Sequence, residues 1–167
     1  MYFAGFRRAH GTAAQWVCLP ERQAVTLPKA VSFDLGASLG IPALTAHRAV
    51  FSDGPVAGQS ILVAGGAGAV GHFAIELARH AGARVIATVS SPQKAALAEA
   101  AGADLVIDYR TQDTVAVIRK VAADGVDRVV EVAPAANLQL DLGVITRAAP
   151  SSPMAPTAPT CASRSET

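Results

Sequence analysis

Aromatic residues are scarce in this chain, at 5% of 167 positions, while Ala, Val, Leu and Gly supply most of an apolar content of 51%. That mix suits helices packed closely on a parallel sheet better than a barrel or a sandwich. An excess of either charge is lacking too. Fourteen Lys and Arg face thirteen Asp and Glu, for a net charge of +1, and no dense basic stripe offers nucleic acid a footprint. Apolar runs all fall well short of the roughly 20 residues of a membrane helix, so no membrane association is expected. The opening MYFAGFRRAH has no apolar h-region after its two arginines and does not read as a signal peptide. Cys18 and Cys161 are too few and too far apart for a disulfide framework or a zinc cluster. A reduced, cytoplasmic setting is the default reading.

The stretch Ile61–Ser91, ILVAGGAGAVGHFAIELARHAGARVIATVSS, organises the rest. Ile61 to Ala64 suit a strand buried on both faces. Gly66, Gly68 and Gly71 then form G-x-G-x-x-G. From Ala69 to Ala81 the period becomes helical, with Val70, Phe73, Ala74, Leu77 and Ala81 on one face. Arg84–Val89 reads as the next strand. A glycine fingerprint inside a βαβ unit is the context a dinucleotide site requires. Gly66 is expected to allow the sharp reversal, Gly68 to let a pyrophosphate approach the main chain, and Gly71 to let the helix sit close to the sheet. The free N–H groups of the helix start would meet the phosphates. The bland alternative is a glycine-rich turn that only tightens strand–helix packing.

Before this unit, Met1–Pro28 does not look like the start of a domain. Ala14–Leu19 and Gln23–Leu27 are plausible short strands, with Cys18 as a core residue of the first. Arg7 and Arg8 read as a solvated pair. Ser32–Phe51 has a helical pattern, capped by Ser32 or Asp34, broken at Gly40 and reopened at Pro42. His47 reads as a surface or hydrogen-bonded histidine, since no second ligand lies at metal spacing. After the unit the pattern repeats. Ser91-Pro92 starts a helix that Gly102 ends, Asp104–Asp108 is a strand, and Thr111 is the expected cap of a helix carrying Val115, Ile118, Val121 and Ala122. Gly125 closes that helix, Asp127–Val132 is a fourth strand, and Asn137 to Thr146 reads as one more helix. The expected fold class is therefore α/β, a doubly wound parallel (Rossmann) sheet truncated after about four strands. Residues 147–167, rich in Pro, Ser, Thr and Ala, read as a disordered tail where two further strands would be needed.

The residue about twenty positions past the glycines decides the ribose end of a dinucleotide. Here the second strand ends Thr88-Val89-Ser90-Ser91, with no carboxylate to hold both ribose hydroxyls and repel a 2′-phosphate. Lys94 follows within one turn, and Tyr109-Arg110 ends the neighbouring strand. These groups suit a phosphate dianion, so NADP(H) is expected over NAD(H). Lys94 and Arg110 also read, singly, as an ordinary solvated helix residue and a turn residue.

These residues also carry a family resemblance. GTAAQWVCLPERQAVTLP, LGIPALTAHRAVF, the Ile61–Lys94 stretch, GADLVIDYR and GVDRVVEVAPAANLQLDL together resemble the zeta-crystallin-like quinone oxidoreductases of the medium-chain dehydrogenase/reductase superfamily. The resemblance implies a cytosolic, zinc-free, homo-oligomeric enzyme that reduces a small-molecule quinone or enone with NADPH. By position, Gly66, Ala67, Gly68, Ala69, Val70 and Gly71 would line the pyrophosphate, Ser90, Lys94 and Tyr109 would surround the 2′-phosphate, and Asn137 would touch the nicotinamide half. Residues 1–30 would be the last part of an N-terminal β-rich GroES-like catalytic domain, most of it absent, and residues 31–146 an incomplete NADP-binding domain.

No Ser-His-Asp set, paired carboxylates or H-E-x-x-H arrangement suggests other chemistry, and no Tyr-x-x-x-Lys follows Tyr109 as short-chain dehydrogenases require. Three functional readings stay open at this point: an NADPH-dependent quinone reductase in incomplete form, a nonenzymatic NADPH-binding or regulatory fragment, and an enoyl reductase or zinc-free alcohol dehydrogenase relative.

Overall fold

The computed structural model describes residues 14–146. The expected tail, Cys161, Arg7 and Arg8 lie outside the described residues. Residues 14–38 and 39–146 belong to two compact units.

In the first unit the two expected strands do not form. Residues 16–20 and 24–28 carry no regular structure, a single 3-10 turn occupies Glu21–Gln23, and Cys18 is exposed rather than in a core. Strand propensity alone provides no ladder, and an unpaired apolar segment gains nothing from extending. Helix α1, Phe33–Phe51, starts where expected: Ser32 Oγ accepts from Leu35 N at 3.2 Å. Gly40 breaks it, at φ −37°, ψ −105°, and Pro42 lies just beyond. Proline brings no N–H to the helical ladder, so the break falls where one bond is already missing.

The second unit is built on four parallel strands. They are β1 (Ser60–Val63), β2 (Arg84–Val89), β3 (Leu105–Asp108) and β4 (Arg128–Val130), in spatial order β3-β2-β1-β4. Helices α2 (Ala69–His80), α3 (Pro92–Ala100), α4 (Thr114–Val121) and α5 (Pro134–Val144) alternate with them. The strands are mostly apolar between their ends because both faces are covered. Ile61, Val63, Val85, Ala87 and Val89 meet α2, α3 and the end of α1, together with Ala74, Ala78 and Ala98. Leu62, Ile86 and Ile107 point the other way, to Ile118 and Val144 of α4 and α5. Alternation at period two thus divides one strand between two cores.

Helix α2 is turned relative to the expected face. Gly71, Ala74, Ile75 and Ala78 are its buried residues, while Val70, Phe73, Leu77 and Ala81 are half-buried on its flanks. Small side chains let the helix axis come close to the sheet, and the larger apolar groups then straddle the contact. The cap of α4 is Asp113, whose carboxylate accepts from Ala116 N at 3.0 Å, and not Thr111. The Thr111 hydroxyl is engaged with the Asp108 carbonyl at 3.4 Å. The Arg119 guanidinium ties α4 to α5, donating from Nη2 to the Gly143 carbonyl at 2.8 Å and from Nη1 to Ala123 O at 3.0 Å.

Strand β4 stops two residues before the expected Val132, and α5 begins at Pro134, three residues before Asn137. One side chain accounts for the early end of the strand: Glu131 Oε1 accepts from the N–H groups of Val132 and Ala133 and draws the chain out of the ladder. Pro134, at the first helical position, is the sequence signal for the earlier helix start. Beyond α5 the chain turns back beside β4, where Ile145 bridges Val126 in parallel and Thr146 N donates to Val126 O at 2.8 Å. No helix among the described residues is long and apolar enough to cross a membrane.

Candidate functional site

The strand order places β1 between β2 and β4, so the chain's crossovers leave β1 in opposite directions. A crevice opens at such a reversal, outside the carboxyl ends of the strands. The structure has a cavity there of about 650 Å³, lined by the ends of β1 (Ala64, Gly65), β2 (Thr88) and β4 (Glu131), with Tyr109 and Asn137.

The glycine turn divides its work differently from the sequence expectation. The reversal uses Gly65, at φ +67°, and not Gly66. A left-handed backbone suits glycine because a Cβ would crowd the following carbonyl. Gly66 is instead a close-packing residue: a Cβ there would sit 2.9 Å from both Ala87 Cβ and Ile75 Cδ1. At Gly71 a Cβ would come 3.0 Å from Gly66 Cα and collide with the Gly65 carbonyl. Gly68 is exposed, and a Cβ would lie 3.2 Å from Gly65 O. Two glycines therefore hold the turn against the sheet, and the exposed one keeps its outer side open.

Thr88 pins the turn, and sequence reasoning missed it. Its hydroxyl oxygen accepts from Gly65 N at 3.2 Å, and its carbonyl accepts from Gly66 N at 2.9 Å. Thr88 is 5% exposed, one place before the end of β2, and a hydroxyl buried there must find a partner.

Helix α2 then starts without a side-chain cap, because its N-cap is Gly68. His72 N donates to Gly68 O at 2.8 Å. The N–H groups of Ala69, Val70 and Gly71 precede that bond and have no acceptor among the described residues. These donors lie at the positive end of a 12-residue helix, an arrangement that receives phosphate oxygens. Ala67 is half-buried and Ala69 exposed beside them. A bound pyrophosphate would supply the missing acceptors, so the cradle fits the group.

At the end of β2 the structure brings the next set together. Ser91 caps α3 through its hydroxyl, which accepts from Lys94 N at 3.3 Å. That cap turns Lys94 back over the strand end, where its Nζ donates to Ser90 Oγ at 2.9 Å. Tyr109 N donates to Val89 O at 3.1 Å, which sets the exposed phenol on the neighbouring strand end. Arg110 follows, with its N–H bonded to Asp108 Oδ1 at 3.0 Å. No carboxylate terminates β2.

Across β1, Asn137 is half-buried on the first turns of α5 and donates from Nδ2 to Glu131 Oε2 at 2.8 Å. Glu131 is a second site-lining residue that sequence reasoning passed over. One turn further along α5, Asp141 Oδ1 is buried with no hydrogen-bond partner among the described residues. Burial first, and the negative charge of Glu131 second, hold the Asp141 carboxyl above its ordinary pKa. His47 is exposed and packs against Phe51 at 4.9 Å between ring centroids. Among the described residues, no three His, Cys, Asp or Glu side chains converge on a point where they could hold a metal ion.

This geometry has counterparts in known proteins. Residues 69–150 match the family model described as zinc-binding dehydrogenase. The quinone oxidoreductase of Pongo abelii is 32% identical over 138 residues, covering 81% of this chain and 42% of the relative. The chain thus spans about two-fifths of that relative's length. The crystal structure of Escherichia coli quinone oxidoreductase complexed with NADPH superposes with a TM-score of 0.68 at 30% identity, over 74% of this chain and 38% of the other. That of an NAD-dependent alcohol dehydrogenase does so with a TM-score of 0.77 at 34% identity, over 82% and 40%. The chain belongs to the medium-chain dehydrogenase/reductase superfamily.

Proposed function

We propose that this chain binds NADPH and forms the nucleotide half of an oxidoreductase that delivers hydride to an electron-poor quinone or enone. The observation that carries the reading is the pairing of two features. An uncapped helix start presents three free N–H groups, and Lys94 Nζ and Ser90 Oγ meet where a carboxylate would select NAD. The first takes a pyrophosphate. The second takes the phosphate that distinguishes NADP from NAD, because an ammonium, a hydroxyl and a nearby phenol favour a dianion there. One relative of the same fold is complexed with NADPH and another is NAD-dependent, so the choice rests on these local groups.

When bound, NADPH supplies a hydride to the acceptor. The residues of this chain hold and orient it: the α2 N–H groups fix the pyrophosphate, and Asn137 lies on the cavity wall across β1. A quinone oxygen can take its proton from solvent, so no side chain need serve as a strong acid. Orientation against the acceptor is then the main protein contribution. A zinc-free, cytoplasmic reaction of this kind is the setting the proposal assumes.

A second reading, cofactor binding without turnover, has the same helix start and the same strand-end groups behind it. Purified chain separates the two. Consumption of NADPH with a naphthoquinone acceptor supports the reductase, and saturable NADPH binding without consumption supports the second reading. Absence of both binding and a cooperative melt would remove each of them.

A further inference from the structure

The Asn137 side chain has two hydrogen-bonding ends, and the fold has already used one. Its Nδ2 donates to Glu131 Oε2 at 2.8 Å. The other Glu131 oxygen accepts from the backbone N–H groups of Val132 and Ala133. An ionised carboxylate only accepts, so it can face only the amide nitrogen of Asn137 and leaves the carbonyl oxygen free. Both residues line the cavity at the end of β4.

The position of this pair within the sheet identifies what it meets. In a doubly wound sheet, the strand after the glycine turn (β2) takes the adenosine end of a dinucleotide, and the strands across the reversal take the other mononucleotide. Here β4 is the strand across the reversal. Resting on the NADPH reading above, we propose that Glu131 is a positioning residue that fixes the Asn137 amide with its oxygen toward the cavity, so that the site selects a hydrogen-bond donor, the carboxamide NH₂ of the nicotinamide. Sequence spacing supports the design: Glu131 and Asn137 are joined through Pro134, whose fixed φ starts the helix at a set distance from the strand end.

The test compares NADPH with its acetylpyridine analogue, in which a methyl ketone replaces the carboxamide and the NH₂ donor is lost. Full-length chain is expected to bind NADPH about fivefold more tightly than the analogue, the effect of one neutral hydrogen bond. Glu131→Gln keeps one oxygen for the N–H groups before α5 but turns an amide NH₂ toward Asn137, forcing that amide to rotate. The affinity ratio is then expected to fall to about one, the value without that bond. Adding Asn137→Asp to Glu131→Gln restores an acceptor facing the cavity and should restore the preference. If Glu131→Gln lowers only the melting temperature and the ratio persists, Glu131 merely ends β4 and the inference is overturned. A wild-type ratio near unity with intact binding of adenosine 2′,5′-bisphosphate also overturns it and leaves the NADPH reading standing. Failure to bind that bisphosphate overturns the NADPH reading itself.

Discussion

Lys94 Nζ lies 2.9 Å from Ser90 Oγ, across the first turn of α3 and directly over the end of β2. The side chain is exposed, so holding it there costs rotamer freedom for a single hydrogen bond to a hydroxyl. A phosphate in the same place would accept from both groups. Lys94→Ala is therefore expected to weaken NADPH binding by about tenfold or more while changing NADH binding little, since a charged hydrogen bond is worth roughly 1.5–3 kcal/mol. Titration of the variant with each nucleotide checks this; equal losses would refute the phosphate role.

The glycines of the turn should separate into two classes. Gly68 is exposed, and its nearest obstacle is a carbonyl at 3.2 Å. Gly68→Val is expected to abolish binding of both nucleotides with a modest change in melting temperature, because the new side chain occupies the pyrophosphate's place. Gly71→Val should instead destabilise the fold by more than the roughly 1–3 kcal/mol usual for overpacking, since its Cβ has backbone on its path. Paired melts and nucleotide titrations of the two variants check the division.

The legibility of the fold and site in the sequence follows the same division between local and distant partners. The βαβ context, the bounds of β2, the Ser91 cap and the Gly40 break all follow from local chemistry that acts within one or two turns of chain. The turn glycine was misplaced by one position because three of the candidates are consecutive or nearly so, and only the Thr88 bonds decide which one reverses. Thr88 is 23 residues away from Gly65, so no local pattern could show it. Glu131 was read as a strand residue because it lies within the valine-rich run Asp127–Val132; its carboxylate ends the strand by taking two backbone N–H groups. The strands expected at Ala14–Leu19 and Gln23–Leu27 failed for the converse reason, apolar content with no ladder to join among the described residues.

Asp104 joins three elements through one carboxylate. Oδ1 accepts from Arg79 Nη1 and Oδ2 from Val85 N, each at 2.8 Å. The Arg79 partner is largely exposed, so that ion pair contributes little. The Val85 bond matters more, because Val85 is fully buried at the start of β2. Asp104→Ala is expected to cost about 1–3 kcal/mol, the penalty of a buried donor left without a partner. Arg79→Ala should cost clearly less. Chemical denaturation of both variants checks the ranking.

The raised Asp141 pKa has a definite sign. Burial, then the charge of Glu131, make the folded state hold this proton more tightly than the unfolded chain, whose reference value is 3.8. Its stabilising contribution is fully present below 3.8 and is lost as the pH rises through the higher folded-state value. Asp141→Asn cannot ionise. The variant is expected to melt at a higher temperature than the parent at neutral pH, with the difference shrinking in acid. A difference that grows as the pH falls would contradict this.

The most direct test of the nucleotide site is a calorimetric titration of the full-length chain with NADPH and, separately, with NADH. The structure predicts saturable binding of NADPH that is at least about tenfold tighter than binding of NADH, as one phosphate held by charged hydrogen bonds would give. Equal affinities, or no heat with either nucleotide from a chain that melts cooperatively, would contradict it.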